Sequence, residues 1–267
     1  MAATDTALRP LAVVTGASSG IGFALARELA AHDFDLVVAA DDAAIDDAAQ
    51  MLRTTGAGAD PVRADLATSD GVEQLVARTE ADGRGVAALV INAGVGVAGP
   101  FVETDVQDHL RLVDLNVRGA VELASRVLPA MVERGQGRVL FTSSIAATMP
   151  GPYMSTYNAS KAFLYSFAQA LRTELKESGV TVTALMPGPT DTRFFERADM
   201  EDTKLGHSDK DDPADVARDG YEAMMAGKDH VIAGSLKNKA QVAAAKVLPD
   251  TALAKTHAKM SEPGSGK

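Results

Sequence analysis

Leu11-Ala12-Val13-Val14-Thr15-Gly16-Ala17-Ser18-Ser19-Gly20-Ile21-Gly22-Phe23-Ala24-Leu25-Ala26-Arg27-Glu28-Leu29 passes from an apolar, β-branched run through a turn of glycines and serines into helical spacing. That order predicts a strand, a turn and a helix. In such a unit, glycines let the backbone turn tightly and approach a pyrophosphate. The free N–H groups and positive partial charge of the helix N-terminus favour the anion. Gly16, Ser18, Ser19, Gly20, Ile21 and Gly22 are therefore candidate nucleotide contacts. The spacing departs from G-x-G-x-x-G, so the position directly after the first strand carries the reading.

Outward from that unit, Asp35–Ala40, Ala59–Arg63, Val86–Ile91, Gly137–Thr142 and Val180–Met186 repeat the short apolar run, with helix-length connections between them. Such runs predict parallel strands joined by crossovers, hence an α/β fold with a doubly wound parallel sheet flanked by helices. Residues 230–233 add a short strand, making about seven, and the chain reads as one domain over residues 10–260. Residues 189–212, rich in charge and turn formers, read as a mobile substrate loop over a pocket. A helix is expected to begin near Pro213, and residues 236–260 carry helical spacing. Residues 1–9 and 261–267 are expected to be flexible.

Composition narrows the function. The chain has 267 residues, 46% of them hydrophobic and 4% aromatic, as a globular protein does. Lys and Arg number 26 against 36 Asp and Glu, a net charge of −10, which disfavours a nucleic-acid partner and points to a small-molecule ligand. Cysteine is absent, which excludes disulfides, thiolate zinc sites and cysteine nucleophiles and suits a reducing compartment. No apolar run approaches the roughly 18 residues of a membrane span, and the N-terminus lacks the basic region and apolar core of a signal peptide. A cytoplasmic protein with no membrane partner is expected. The five histidines, at 32, 109, 207, 230 and 257, form no spaced ligand set, so no metal is expected. No G-x-x-x-x-G-K-[ST] marks a P-loop nucleotidase.

A second cluster follows the fifth strand: Thr142-Ser143-Ser144, then Tyr157-Asn158-Ala159-Ser160-Lys161 opening a long helix. Spacing of four puts the Tyr157 phenol and the Lys161 ammonium on one helix face. A free tyrosine, with pKa about 10, is a poor base at neutral pH, but nearby positive charge favours its phenolate and brings proton transfer into range. That chemistry suits an alcohol–ketone interconversion. On an exposed helix the same pair is ordinarily inert.

Together these fragments resemble the short-chain dehydrogenase/reductase family. Its T-G-x-x-x-G-x-G signature matches Thr15 to Gly22, and its Y-x-x-x-K pattern, with a serine thirteen positions ahead of the tyrosine, matches Ser144, Tyr157 and Lys161. The resemblance implies a single-domain Rossmann fold and an NAD(P)-dependent oxidoreductase moving hydride between its cofactor and a secondary alcohol or ketone. It implies Tyr157 as general acid/base, Ser144 as donor to the substrate oxygen, and Lys161 as the group that lowers the tyrosine pKa and holds the nicotinamide ribose. Asn116, in Leu115-Asn116-Val117, would support a water-linked proton relay. Asp65, with Leu66, would hold the adenine, and Asn92-Ala93-Gly94 would brace the sheet edge beside the cofactor. There Ile91 replaces the first of the family's frequent asparagine pair. Pro187-Gly188, with Thr190 or Thr192, would lie along the nicotinamide.

At the end of the second strand, Ala39-Ala40-Asp41-Asp42 carries no arginine or lysine. A carboxylate there accepts from the ribose 2′-hydroxyl of NAD, whereas the 2′-phosphate of NADP would meet like charge. NAD is the expected cofactor, with Asp41 at the ribose; the register leaves one place open, so either aspartate is a solvated surface charge in the alternative. The helix after Tyr157 carries apolar residues over more than one stripe. The resemblance points to a homodimer or homotetramer built partly on it, with simple core packing as the alternative. Residues 95–101, 148–153 and 194–212 would shape a pocket for a small alcohol or carbonyl substrate. Phe194, Phe195 and Met200 there either meet an apolar part of it or anchor the loop. The competing expectation is a non-catalytic nucleotide-sensing regulator on the same fold, against which Ser144, Tyr157 and Lys161 weigh.

Overall fold

The six long apolar runs become strands with the bounds their sequence predicts: β1 (Leu11–Thr15), β2 (Asp35–Ala40), β3 (Ala59–Arg63), β4 (Val86–Ile91), β5 (Gly137–Thr142) and β6 (Val180–Met186). The seventh, β7, is His230–Ile232, one residue shorter than expected. In the computed structural model, which describes residues 8–266, the strands pair in parallel in the order β3-β2-β1-β4-β5-β6-β7. Among the described residues the connections hold α1 (Gly20–Ala31), α2 (Ala44–Arg53), α3 (Ser69–Asp82), α4 (Val106–Val113), α5 (Ala120–Glu133) and α6 (Ser155–Glu174). The remaining helices are α7 (Phe194–Arg197), α8 (Pro213–Met225), α9 (Leu236–Ala245) and α10 (Asp250–Ser261).

Successive strand residues point to opposite faces, so each strand feeds two cores. Val13, Leu89 and Phe141 pack with Leu75 of α3, Leu123 of α5 and Leu164 of α6. Val14, Val38 and Leu140 pack on the other face with Leu25 of α1, Ile45 of α2 and Met224 of α8. The chain runs outward from β1 to β3, then returns to place β4 on β1's other side. At that reversal the carboxyl ends of β1 and β4 open a crevice, the usual ligand site of such sheets. Among the described residues no helix is long and apolar enough to cross a membrane.

Four places differ from the sequence reading. Residues 189–212, expected as a mobile loop, contain α7, and Phe195, Ala198 and Met200 bury against Met154 as a small core of their own. Residues 236–260 break into α9 and α10, because Pro249 stands extended ahead of Asp250 and has no N–H to continue a helix. Residues 261–266, expected as a flexible tail, complete α10 with buried Ser261 and then turn back: the Gly264 and Gly266 amides donate to Asp202 at 2.8 and 2.9 Å. At Gly266 a Cβ would overlap the His207 ring, so glycine lets the backbone approach there. Asn116 lies in a π-helical turn, Asp114–Gly119, inserted between α4 and α5. Of the expected flexible N-terminus, residues 1–7 lie outside the described residues, and Arg9 pairs with Asp33 at 3.3 Å.

Candidate active site

Thr15 ends β1 by locking it to the end of β4: its hydroxyl accepts from the amides of Asn92 and Ala93 at 2.9 and 3.0 Å. The Asn92 side-chain amide donates back to the Thr15 carbonyl at 3.0 Å. Within the turn Gly16 has a φ of 66°, left-handed backbone that glycine adopts at little cost. At Gly22 a Cβ would overlap the Gly16 carbonyl and the Asn92 amide. Helix α1 then begins with no side-chain cap from Ser19 and no acidic residue in its first turn. Its unsatisfied N–H groups and positive end are thus free to face an anion.

Along the crevice, Asp42 is engaged within the protein. It accepts from the Ser18 hydroxyl and the Ala44 amide, both at 3.0 Å, with Arg197 at 3.4 Å. Asp41 is freer, with Arg111 at 3.5 Å. The same guanidinium grips both oxygens of Asp65 at 2.9 and 3.2 Å and holds that carboxyl below the usual carboxylate range. The second strand's end has no cation of its own, but folding delivers Arg111 from α4 and Arg197 from α7.

At the other end, Ser144 follows β5, and α6 carries Tyr157 and Lys161 in its first two turns. Lys161 Nζ donates to the Thr142 carbonyl at 2.9 Å and sits 5.7 Å from the centroid of the Tyr157 ring. Burial raises the Tyr157 pKa to about 12, opposed by the Ser144 hydroxyl, and burial lowers Lys161 to about 8. The Ser144 hydroxyl accepts from Ala146 N at 3.1 Å and donates to the Pro187 carbonyl at 3.3 Å. Asn116 stands behind this group. Its Oδ1 accepts from Val95 N at 2.9 Å, and its Nδ2 donates to Val95 O at 3.0 Å and to Ser160 Oγ at 3.1 Å. Past β6, Thr190 is buried and donates to Gly188 O at 2.9 Å, whereas Thr192 accepts from Phe194 N at 3.3 Å. The Thr192 methyl lies 3.0 Å from where a Cβ on Gly20 would stand.

One cleft of about 1070 Å³ joins the two ends. It is lined by Gly16, Ser18, Ser19, Gly20, Ile21 and Gly22; by Asp41, Asp65, Leu66, Asn92, Ala93 and Gly94; and by Ser144, Tyr157, Lys161, Pro187, Gly188, Thr190 and Thr192. Of the candidate catalytic and cofactor residues singled out from sequence, Asn116 alone acts from outside the lining. The open N-terminus of α1, the glycine turn and the carboxylate at β2 fit a dinucleotide laid across the sheet. Phe194 lines the cleft with its ring 5.1 Å from that of Tyr157, while Phe195 and Met200 anchor the segment. Sequence reading missed the outer wall, which comes from α9 and α10. The recurrence of Leu253, Thr256, His257 and Met260 at helical spacing was the available signal.

Residues 10–202 match a family model described as short chain dehydrogenase. The chain is 33% identical over 215 residues to oxidoreductase UcpA of Salmonella typhimurium, covering 80% of this chain and 79% of that protein. Among solved structures it is similar to a short-chain dehydrogenase from Sphingobium yanoikuyae in complex with NADPH. That pair has 30% identity and a TM-score of 0.78, covering 84% of this chain and 87% of the other. It is also similar to a short-chain dehydrogenase/reductase from Burkholderia phymatum in complex with NAD, at 27% identity and a TM-score of 0.81, covering 90% and 92%.

Proposed function

We propose, on the premise that the chain belongs to the short-chain dehydrogenase/reductase family of NAD(P)-dependent oxidoreductases, that it interconverts a secondary alcohol and a ketone with NAD. One observation carries this reading: a single cleft runs from the uncapped N-terminus of α1 to buried Ser144 and Lys161 and half-buried Tyr157. A nicotinamide dinucleotide bound there supplies two-electron hydride exchange with the carbon that bears the substrate oxygen.

The protein's own task is the proton. Ser144, whose hydroxyl turns from its long bond to the Pro187 carbonyl when substrate binds, donates to the substrate oxygen and polarises it. With its pKa near 12, Tyr157 is held as the neutral phenol, an acid ready to protonate the oxygen as negative charge develops during reduction. In oxidation it takes the proton back. Lys161, near 8, keeps most of its protons at pH 7, so its charge stabilises the transient phenolate. Asn116 is a positioning residue, fixing Val95 and Ser160 around the lysine.

The NAD preference rests on Asp41. Asp42 is committed to Ser18 and Ala44, leaving the Asp41 carboxylate to accept from a ribose hydroxyl. A 2′-phosphate there would have to draw Arg111 away from Asp65, where it makes its shorter contacts. We also assign self-association to the chain, through the apolar face of α4. Titrating the purified protein with NADH and NADPH separately, by nicotinamide fluorescence, tests the cofactor reading: NADH should bind more tightly, and selective NADPH binding would overturn it. Tyr157→Phe should lose about 10²- to 10⁴-fold in turnover on a panel of secondary alcohols and ketones while binding NADH as before. A near wild-type rate in that variant would sink the tyrosine assignment.

A further inference from the structure

Beyond Tyr157 and Phe194 the cleft continues between the Met149–Met154 side and a wall built by the last two helices. Helix α10 turns Leu253, Thr256, His257 and Met260 into the cleft at i, i+3, i+4 and i+7, and α9 and its exit add Gln241, Ala244 and Leu248. The family match ends at residue 202, so this wall lies outside it.

Along α10 and the exit of α9 the polar groups of the wall are already engaged. Thr256 donates to Ala252 O at 3.0 Å, and His257 Nδ1 meets the Ser261 hydroxyl at 2.8 Å while the ring also bonds the Pro152 carbonyl. Gln241 donates to the Met149 sulfur at 3.8 Å. Of the cations that line the cleft, Lys210 donates to Gly206 O at 2.7 Å and lies 5.0 Å over the Phe195 ring, and Arg197 reaches Asp42 at 3.4 Å, while Arg193 and Lys237 are exposed. Between the Met149–Met154 side and α10, what faces a ligand is chiefly hydrocarbon and thioether: Met149, Met154, Phe194, Leu248, Leu253 and Met260. Leu248 keeps 48% of its surface exposed, apolar area that a ligand would desolvate. Nor is the wall loose: Leu205 N donates to Met260 O at 2.9 Å, and the chain beyond α10 bonds Asp202.

We infer that α9 and α10 set substrate choice, and that the substrate is a secondary alcohol or ketone carrying an extended hydrocarbon group that lies along Leu248 and Met260. This rests on the oxidoreductase reading above, and methionines suit the role because their flexible thioethers adapt to chains of different shape.

The test is kcat/KM with NADH along a series of methyl ketones, 2-butanone, 2-hexanone, 2-octanone and 2-decanone. Burying a methylene is worth a factor of about four, so kcat/KM should rise on the order of a hundredfold from 2-butanone to 2-octanone. Leu248→Ser and Met260→Ser, both at positions open to the cleft, should each flatten that rise. A flat or falling series, an unchanged slope in both variants, or preference for a chain of equal length ending in a carboxylate overturns the inference while leaving the alcohol–ketone reading intact. Absence of turnover with every ketone and alcohol, with either cofactor, overturns that reading instead. Calorimetric binding of the same ketones then decides the wall: a Kd that tightens severalfold per added methylene supports it, and one indifferent to length refutes it.

Discussion

Lys161 is buried beside Tyr157 with the Thr142 carbonyl 2.9 Å from its nitrogen, and that burial carries a pH signature separable from catalysis. Unfolded, the lysine holds its proton up to about 10.5; folded, to about 8. Between those values the unfolded state binds more protons, so stability rises with pH across the window, and below about 8 the full cost of the buried ammonium is in force. Lys161→Met removes that cost along with most turnover. Relative to wild type, the variant should be favoured most at pH 7, with the difference closing by about 2–3 kcal/mol between pH 8 and 10. Melting temperatures of the two proteins across that range give the answer. A difference that does not change with pH would mean that Lys161 is not the buried titrating group. The Tyr/Lys spacing was legible in sequence, but the burial that perturbs both groups was not, because it depends on β5 and the Pro187 segment closing over α6.

At the scale of elements, the strand bounds were legible because β1, β2 and β4 to β6 are buried along nearly their whole length and so are mostly apolar and β-branched, with few polar residues between. Position in the chain then made the glycine turn readable. The π-helical turn at Asp114–Gly119 left no such trace, since one inserted residue hardly disturbs a helical pattern, and Asn116 was accessible only through resemblance. The turn's effect is to aim that side chain at Val95, where it answers both the N–H and the C=O of a chain segment that has no strand partner there. Asn116→Ala should leave those two groups unpaired at about 1–3 kcal/mol each, lowering the melting temperature by several degrees and reducing kcat more than cofactor affinity. Asn116→Asp keeps the acceptor for Val95 N and should recover part of the stability. If the alanine variant melts as wild type does, the asparagine is not what holds Val95. The wall of α9 and α10 was illegible for a different reason: the helical spacing was visible, but which face meets the cleft depends on the break at Pro249 and on the contacts of residues 261–266 with Asp202.

Across the whole molecule, charge and apolar surface act against each other. The arginines that reach Asp41, Asp42 and Asp65 come from α4 and α7, so the stretch at the end of β2, read alone, overstated its negative field. A net charge of −10 still makes two copies repel, and only apolar contact offsets that at close range. Such a surface exists on α4, where Val106, Leu110 and Val113 share one face and stay 58%, 51% and 40% exposed, with Phe101 at 62% just before the helix. His109 meets Thr156 of α6 at 2.9 Å, and Phe163, two turns further along α6, is 39% exposed, so the face continues onto the helix that carries Tyr157. Contiguous apolar surface of this kind marks an interaction site, unlike scattered single residues, and the candidate occupant is the same face of a second copy, since twofold pairing is self-complementary. Sedimentation velocity should therefore find a dimer or tetramer of the 27.7 kDa chain. Leu110→Glu, which places a charge at the centre of the face and adds to the repulsion, should give monomers whose melting temperature stays close to wild type, because the residue buries little within its own chain. Monomeric wild type at micromolar concentration would refute self-association, and an oligomer that survives the glutamate would move the interface away from α4.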